Sequence, residues 1–130
     1  QAVADILGLR ASEQVFQVRR VLSFDGIPTI FEDIWLPGGP FKGLTTAQLS
    51  TDTRPMYALF ESDFGIRMVR AQERLRAVLP SDDVCDFLKV SANMPLLKVE
   101  RLSFTYQDTP MEWRIGVYRT DTRHYLNELN

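Results

Sequence analysis

The chain has 130 residues and a mass of 14.9 kDa, 45% hydrophobic and 25% charged, enough for one domain with a true core and too apolar for a disordered segment. Fifteen basic residues stand against 17 acidic ones, a net charge of −2, which argues against a nucleic-acid-binding surface in these residues themselves. One cysteine, Cys85, excludes an internal disulfide and a thiolate metal cluster, and no apolar run reaches the ~18 residues of a membrane span.

In chain order, Ala4–Leu9 reads as the end of a short helix stopped near Gly8, and Val15–Phe24 is β-branched and aromatic, as a strand should be. Asp25-Gly26 is a hairpin signal, and Pro28–Leu36 returns as the second strand. After the loop Pro37-Gly38-Gly39-Pro40, Pro55–Phe64 reads as a helix with proline in its first turn and Gly65 at its end. Ile66–Leu79 alternates apolar and basic residues, as a long strand with one solvated face would. Ser81-Asp82-Asp83 opens a helix that runs to Leu88. Strands are expected from Leu96 to Tyr106 and from Met111 to Arg119, joined by a turn at Gln107–Thr109. The sum is an α+β fold, a mainly antiparallel sheet with helices, in one domain spanning residues 1–130.

The chain also repeats itself. Shifted by 81 positions, so that Leu7 falls on Leu88, the segment 5–22 matches 86–103 at Asp5/Asp86, Ala11/Ala92, Val18/Val99 and Arg20/Arg101. One inserted residue later Pro28 falls on Pro110. Two duplicated helix–strand–turn–strand units are the expected plan, and a strand before the second helix implies a counterpart ahead of the first.

No P-loop, Rossmann glycine fingerprint or G-x-S-x-G motif is present, and the single histidine, His124, reads as a surface residue. No catalytic residue, metal ligand or cofactor is expected. The informative residues are charges on apolar strand faces. Arg20 shares a face with Phe16, Val18 and Leu22, and Glu32 shares one with Ile30, Ile34 and Leu36, so the hairpin sets the two opposite each other. Arg101 repeats Arg20, Glu73 interrupts the inward row of the middle strand, and Glu112 lines up with Gly116 and Tyr118. Unpaired buried charges are too costly to persist, so these residues meet one another or a polar ligand.

Three stretches carry a family resemblance: V-R-R-V-L-S-F-D-G-I-P-T-I-F-E-D-I-W-L-P, M-Y-A-L-F-E-S-D-F-G-I-R and P-M-E-W-R-I-G-V-Y-R-T-D. In order and content they resemble the UTRA domain, the effector-binding half of HutC-type regulators in the GntR family of bacterial transcription factors. The resemblance implies a chorismate-lyase-like fold, a homodimer in the cytoplasm, and a small polar metabolite, anionic or sugar-like, as effector. It also implies a winged helix-turn-helix domain upstream, so that operator DNA is bound there and not by this chain. Family ligand positions fall on Arg20, Glu32, Arg67, Glu112 and Tyr118; with Arg54, Tyr57, Glu73 and Arg101 they make up the expected ligand set, in which Arg20, Glu32, Glu112 and Tyr118 are expected to converge on one cavity with Arg54 or Arg67 at its anionic end. The chain departs from sugar-phosphate sensors at Leu22, where they carry a second arginine, and at Pro55, where they carry a serine. These departures place a hexosamine phosphate no higher than a smaller carboxylate or phosphonate among the expected effectors. An enzyme of the same fold class, a lyase acting on a cyclic carboxylate, is the alternative.

Overall fold

A computed structural model of the chain describes residues 2–51 and 55–128. The elements follow in the order α1 (Ala2–Leu7), β1 (Val15–Phe24), β2 (Ile27–Pro37), α2 (Thr46–Thr51), α3 (Met56–Phe64), β3 (Arg70–Val78), α4 (Asp82–Leu88), β4 (Leu96–Thr105) and β5 (Thr109–Tyr118). The five strands hydrogen-bond in the order β1-β2-β5-β4-β3. Asp25 (φ 53°) and Gly26 (φ 78°) both take positive φ at the tip of the first hairpin, the conformation of a type I′ turn. Opposed pairs set an antiparallel register: Arg20 with Glu32 across β1 and β2, Trp35 with Trp113 across β2 and β5, and Glu73 with Arg101 across β3 and β4. The second hairpin turns at Tyr106–Asp108, where Gln107 (φ 61°) and Asp108 (φ 53°) take positive φ, one residue earlier than the turn read from the sequence.

The duplication is visible in the element order, since α1-β1-β2 and α4-β4-β5 repeat one plan. Leu7 and Leu88, equivalent in the repeat, are both buried. The helices read from the sequence are found at α1, α3 and α4. Residues 66–69 do not join β3. The helix end explains this: Gly65 adopts φ 67° and donates to the Glu61 carbonyl, and the Ile66 N–H donates to Phe60 O (3.1 Å) while its side chain is buried in the core. The shortened β3 also has exposed residues on both faces, because it closes one edge of the sheet.

The chain divides into two compact units, each taking part of every strand. The first comprises residues 1–18, 34–73 and 101–114. Its core joins Ile34, Leu36 and Met111 of the sheet to Leu59 and Phe60 of α3 and to Phe41 and Leu44 of the preceding loop. Phe41 is delivered there by the Pro37–Pro40 loop, in which the Gly38 N–H donates to Gln14 O at 2.7 Å. A Cβ on Gly38 would lie 2.9 Å from that oxygen, so the close approach requires glycine. The second unit comprises residues 19–33, 74–100 and 115–130. Its core packs Val84 and Leu88 of α4 against Phe31 and Leu96. The helix is capped by Ser81, whose Oγ accepts from the Val84 N–H.

Candidate functional site

In the first unit four of the sequence-predicted residues meet. Tyr57 comes from the first turn of α3, Glu73 from β3, Arg101 from β4 and Glu112 from β5. Glu112 is fully buried, and the Tyr57 hydroxyl donates to its Oε1 at 2.6 Å. Ser103, also fully buried, donates to the same oxygen at 3.3 Å and lies 2.9 Å from the Tyr57 hydroxyl. The other carboxylate oxygen takes Arg114 Nη2 at 2.5 Å. Arg101 donates through Nε to Glu73 Oε2 (2.8 Å) and through Nη1 to the Tyr57 hydroxyl (3.2 Å).

The electrostatics follow from that wiring. Burial, reinforced by the Glu112 carboxylate, pushes the Tyr57 phenol above its ordinary pKa, so it stays a donor. Burial works against the charge on Arg101, but its hydrogen bonds to Tyr57 and Glu73 outweigh it and hold the guanidinium charged. The arrangement is two guanidiniums, two carboxylates, a phenol and a serine hydroxyl on one sheet face beneath α3. Each of these groups is hydrogen-bonded to another member of the set. No group of three or more His, Cys, Asp or Glu among the described residues is placed to hold a metal ion.

Arg114 and Ser103 are additions that sequence reading missed. The signal for Arg114 lay in the repeat, where position 114 is the counterpart of Glu32. In the first copy the neighbouring strand offers Arg20 a carboxylate; in the second copy that carboxylate is replaced by a guanidinium. Arg101 therefore turns to Glu73 on its other side, and Arg114 turns to Glu112.

The second unit holds Arg20 and Glu32, paired through Arg20 Nε and Glu32 Oε1 at 2.5 Å. Glu32 is 1% exposed, and the Arg20 side chain 28%. Among the described residues the two terminal nitrogens of Arg20 have no hydrogen-bond partner. Tyr118 lies in this unit too, edge-on to Tyr125 at 5.6 Å. Arg67, in the first unit, is exposed. Arg54 lies outside the described residues.

Comparison with known proteins fixes the family. The UTRA domain matches residues 1–124. A transcriptional repressor of the HTH type from Salmonella typhimurium, STM4068, is 32% identical over 113 residues, 86% of this chain and 45% of the repressor. The HTH-type repressor PhnF of Mycolicibacterium smegmatis is 28% identical over 121 residues, 93% of this chain and 48% of PhnF. The chain thus spans about half the length of the curated relatives it matches. Among solved structures, the ligand-binding domain of a protein described as a GntR-family transcriptional regulator from Bordetella bronchiseptica is 51% identical. It superposes with a TM-score of 0.91 over 98% of this chain and 80% of that one. The effector domain of PhnF shares the fold at a TM-score of 0.83, with 24% identity over 100% of this chain and 78% of that domain. These relatives are transcriptional regulators, which favours the regulator reading over the lyase, and their effector domains carry the chorismate-lyase-like fold. The chain belongs to the UTRA family, homologous to the effector-binding domains of GntR-family transcriptional regulators.

Proposed function

We propose that this chain is the sensing domain of a bacterial regulator of the HutC type. In this reading a small polar metabolite binds here, and binding changes the hold on operator DNA of a winged-helix domain carried elsewhere in the longer, homodimeric, cytoplasmic protein. The observation that carries the reading is the UTRA match over residues 1–124 in a chain that spans about half of regulators of the HTH type. The residues assigned to effector contact are Tyr57, Glu73, Arg101 and Glu112 in the first unit, and Arg20, Glu32 and Tyr118 in the second. Arg67 and Arg54 are assigned by resemblance and by position in the sequence.

The chemistry of the arginines supports an anionic effector. Arg20 commits only Nε to Glu32, and among the described residues its terminal nitrogens stay available to a carboxylate or phosphate. A thermal-shift screen of sugar phosphates, amino-acid breakdown intermediates and phosphonates tests the reading. A true effector at about 100 times its Kd should add about 2.7 kcal/mol of stability, and Arg20→Gln should erase that gain. Failure of every compound class to raise Tm would overturn it.

A further inference from the structure

The second unit carries an open-mouthed cavity of about 510 Å³ that none of the polar residues of the first unit lines. Pockets for small ligands span roughly 300–1,000 Å³. The walls are the end of the first hairpin, with Phe24 and Ile30, and the segment that follows β5, in which Tyr125 sits edge-on to Tyr118.

Two arginines reach this cavity, and they are in different states. Arg119 is fully engaged: it grips Asp121 through Nε (3.3 Å) and Nη2 (2.8 Å), and Nη1 reaches the Leu88 carbonyl at 3.4 Å. That grip holds the Asp121 carboxyl below the usual carboxylate range. Arg123 gives only Nη2 to Asp25, at 3.0 Å, and lies over the Phe24 ring, 4.7 Å from its centroid. Among the described residues its Nε and Nη1 have no acceptor, and the His124 imidazole makes no hydrogen bond. The Asp25 side chain is 88% exposed, so its pair with Arg123 is screened by water and holds the guanidinium weakly.

We propose that this cavity binds a small molecule that joins an aromatic ring to one anionic group, with the ring between Phe24 and Tyr118 and the anion on Arg123 and His124. The aromatic walls supply flat apolar area, and the guanidinium supplies directed donors that the fold leaves unspent. The Arg119–Asp121 pair cancels its own charge, so the cationic charge at the mouth comes from Arg123, beside which the His124 imidazole offers a further polar contact. The site stands apart from the effector reading, since of the residues assigned there only Tyr118 lines it.

His124 is the only histidine of the chain, so its imidazole carbon-bound protons report this cavity alone in a ¹H–¹³C NMR titration. Phenyl phosphate is the probe, with inorganic phosphate and phenol as separate arms. Phenyl phosphate should move the His124 signals saturably, and each fragment should bind at least about tenfold more weakly, since the two contacts act together. Arg123→Gln should weaken phenyl phosphate by about tenfold or more, the scale of a lost charged hydrogen bond. Asp25→Asn, which keeps a residue tolerant of positive φ at the turn and frees the guanidinium, should bind at least as tightly as the parent. The proposal is overturned by an absent or non-saturating response, by inorganic phosphate binding as well as phenyl phosphate, or by Arg123→Gln binding unchanged. It is also overturned if Asp25→Asn weakens binding as much as Arg123→Gln, because the arginine would then matter only as a clasp on the hairpin.

Discussion

The Tyr57 hydroxyl has one hydrogen and three polar neighbours, and the distances decide where it goes. Glu112 Oε1 at 2.6 Å is the nearest and is a charged acceptor, Ser103 Oγ lies at 2.9 Å, and Arg101 Nη1 has only donors to offer at 3.2 Å. The hydrogen therefore points at Glu112, and the phenol oxygen accepts from Arg101. Tyr57→Phe deletes both bonds at once without changing the ring that packs against Phe60 (6.1 Å between centroids). It should cost about 1.5–3 kcal/mol in urea unfolding, the range for hydrogen bonds to charged groups. The phenol also sets a pH dependence. Its pKa is raised by burial first and by the Glu112 charge second, so the folded state keeps a proton that the unfolded chain releases near pH 10. The stability contribution is intact below about pH 10 and is lost as the pH climbs toward the folded-state value. Absorbance titration at 295 nm of the parent and of Tyr57→Phe should differ by one tyrosine step that lies above the ordinary phenol range. If Tyr57→Phe removes a step in the ordinary phenol range instead, the hydroxyl is not buried against Glu112.

At the scale of elements, α3 owes its placement to its two ends. Pro55 opens it, with the Pro55 carbonyl accepting from Ala58 (3.0 Å) and Leu59 (3.1 Å), and Gly65 closes it in the left-handed region. A Cβ at Gly65 would meet nothing within 4 Å, so Gly65→Ala tests conformation alone. It should destabilise by about 1–2 kcal/mol, the cost of holding a side-chain-bearing residue at that φ, read as a lower urea midpoint at constant slope. These ends were legible in the sequence, as were the Asp25-Gly26 turn and the Ser81 cap, because each depends on neighbouring residues only. The signal for α2 was present but weak: Thr45 Oγ1 accepts from the Gln48 N–H (3.2 Å) while Gln48 Oε1 accepts from the Thr45 N–H (2.9 Å), a capping box on a six-residue helix. Partner choice inside the site was harder to read. Strand periodicity places Arg101 and Glu112 on inward faces, but only the cross-strand register tells that Arg101 is held by Glu73 and that Arg114, absent from the sequence-based set, takes Glu112. Likewise Arg20 and Glu32 were legible as a pair because a two-residue turn fixes their register locally.

For the whole molecule, the sheet order among the described residues leaves β1 and β3 each with one edge that pairs with no other strand of the sheet. Such edges invite a further strand unless charge blunts them. The Arg74–Val78 stretch of β3 is blunted in this way. Leu75 is 49% exposed but sits between two exposed arginines, Arg74 and Arg76. Self-pairing about Leu75 would set Arg74 directly opposite Arg76 of a second copy, and like charges facing across a ladder are destabilising. The Arg19–Phe24 stretch of β1 carries two arginines as well, but both are closely neutralised at home, Arg19 by Asp33 at 2.8 Å and Arg20 by Glu32, whereas Arg74 lies 3.8 Å from Glu100 and Arg76 has no ion pair among the described residues. Its edge is the less defended of the two. The proposed homodimer therefore has a preferred route, through β1, and a measurable consequence. Sedimentation at tens of micromolar, a concentration at which even a weak dimer of micromolar Kd is mostly associated, should give twice the 14.9 kDa chain mass. Leu22→Arg adds a third cation to β1 with no acid assigned to it, and should return the chain to monomer with its circular dichroism unchanged. The same substitution at Leu75 should leave the mass doubled. A chain that sediments as a monomer throughout, or a dimer broken by Leu75→Arg and untouched by Leu22→Arg, would show that this edge is not the contact.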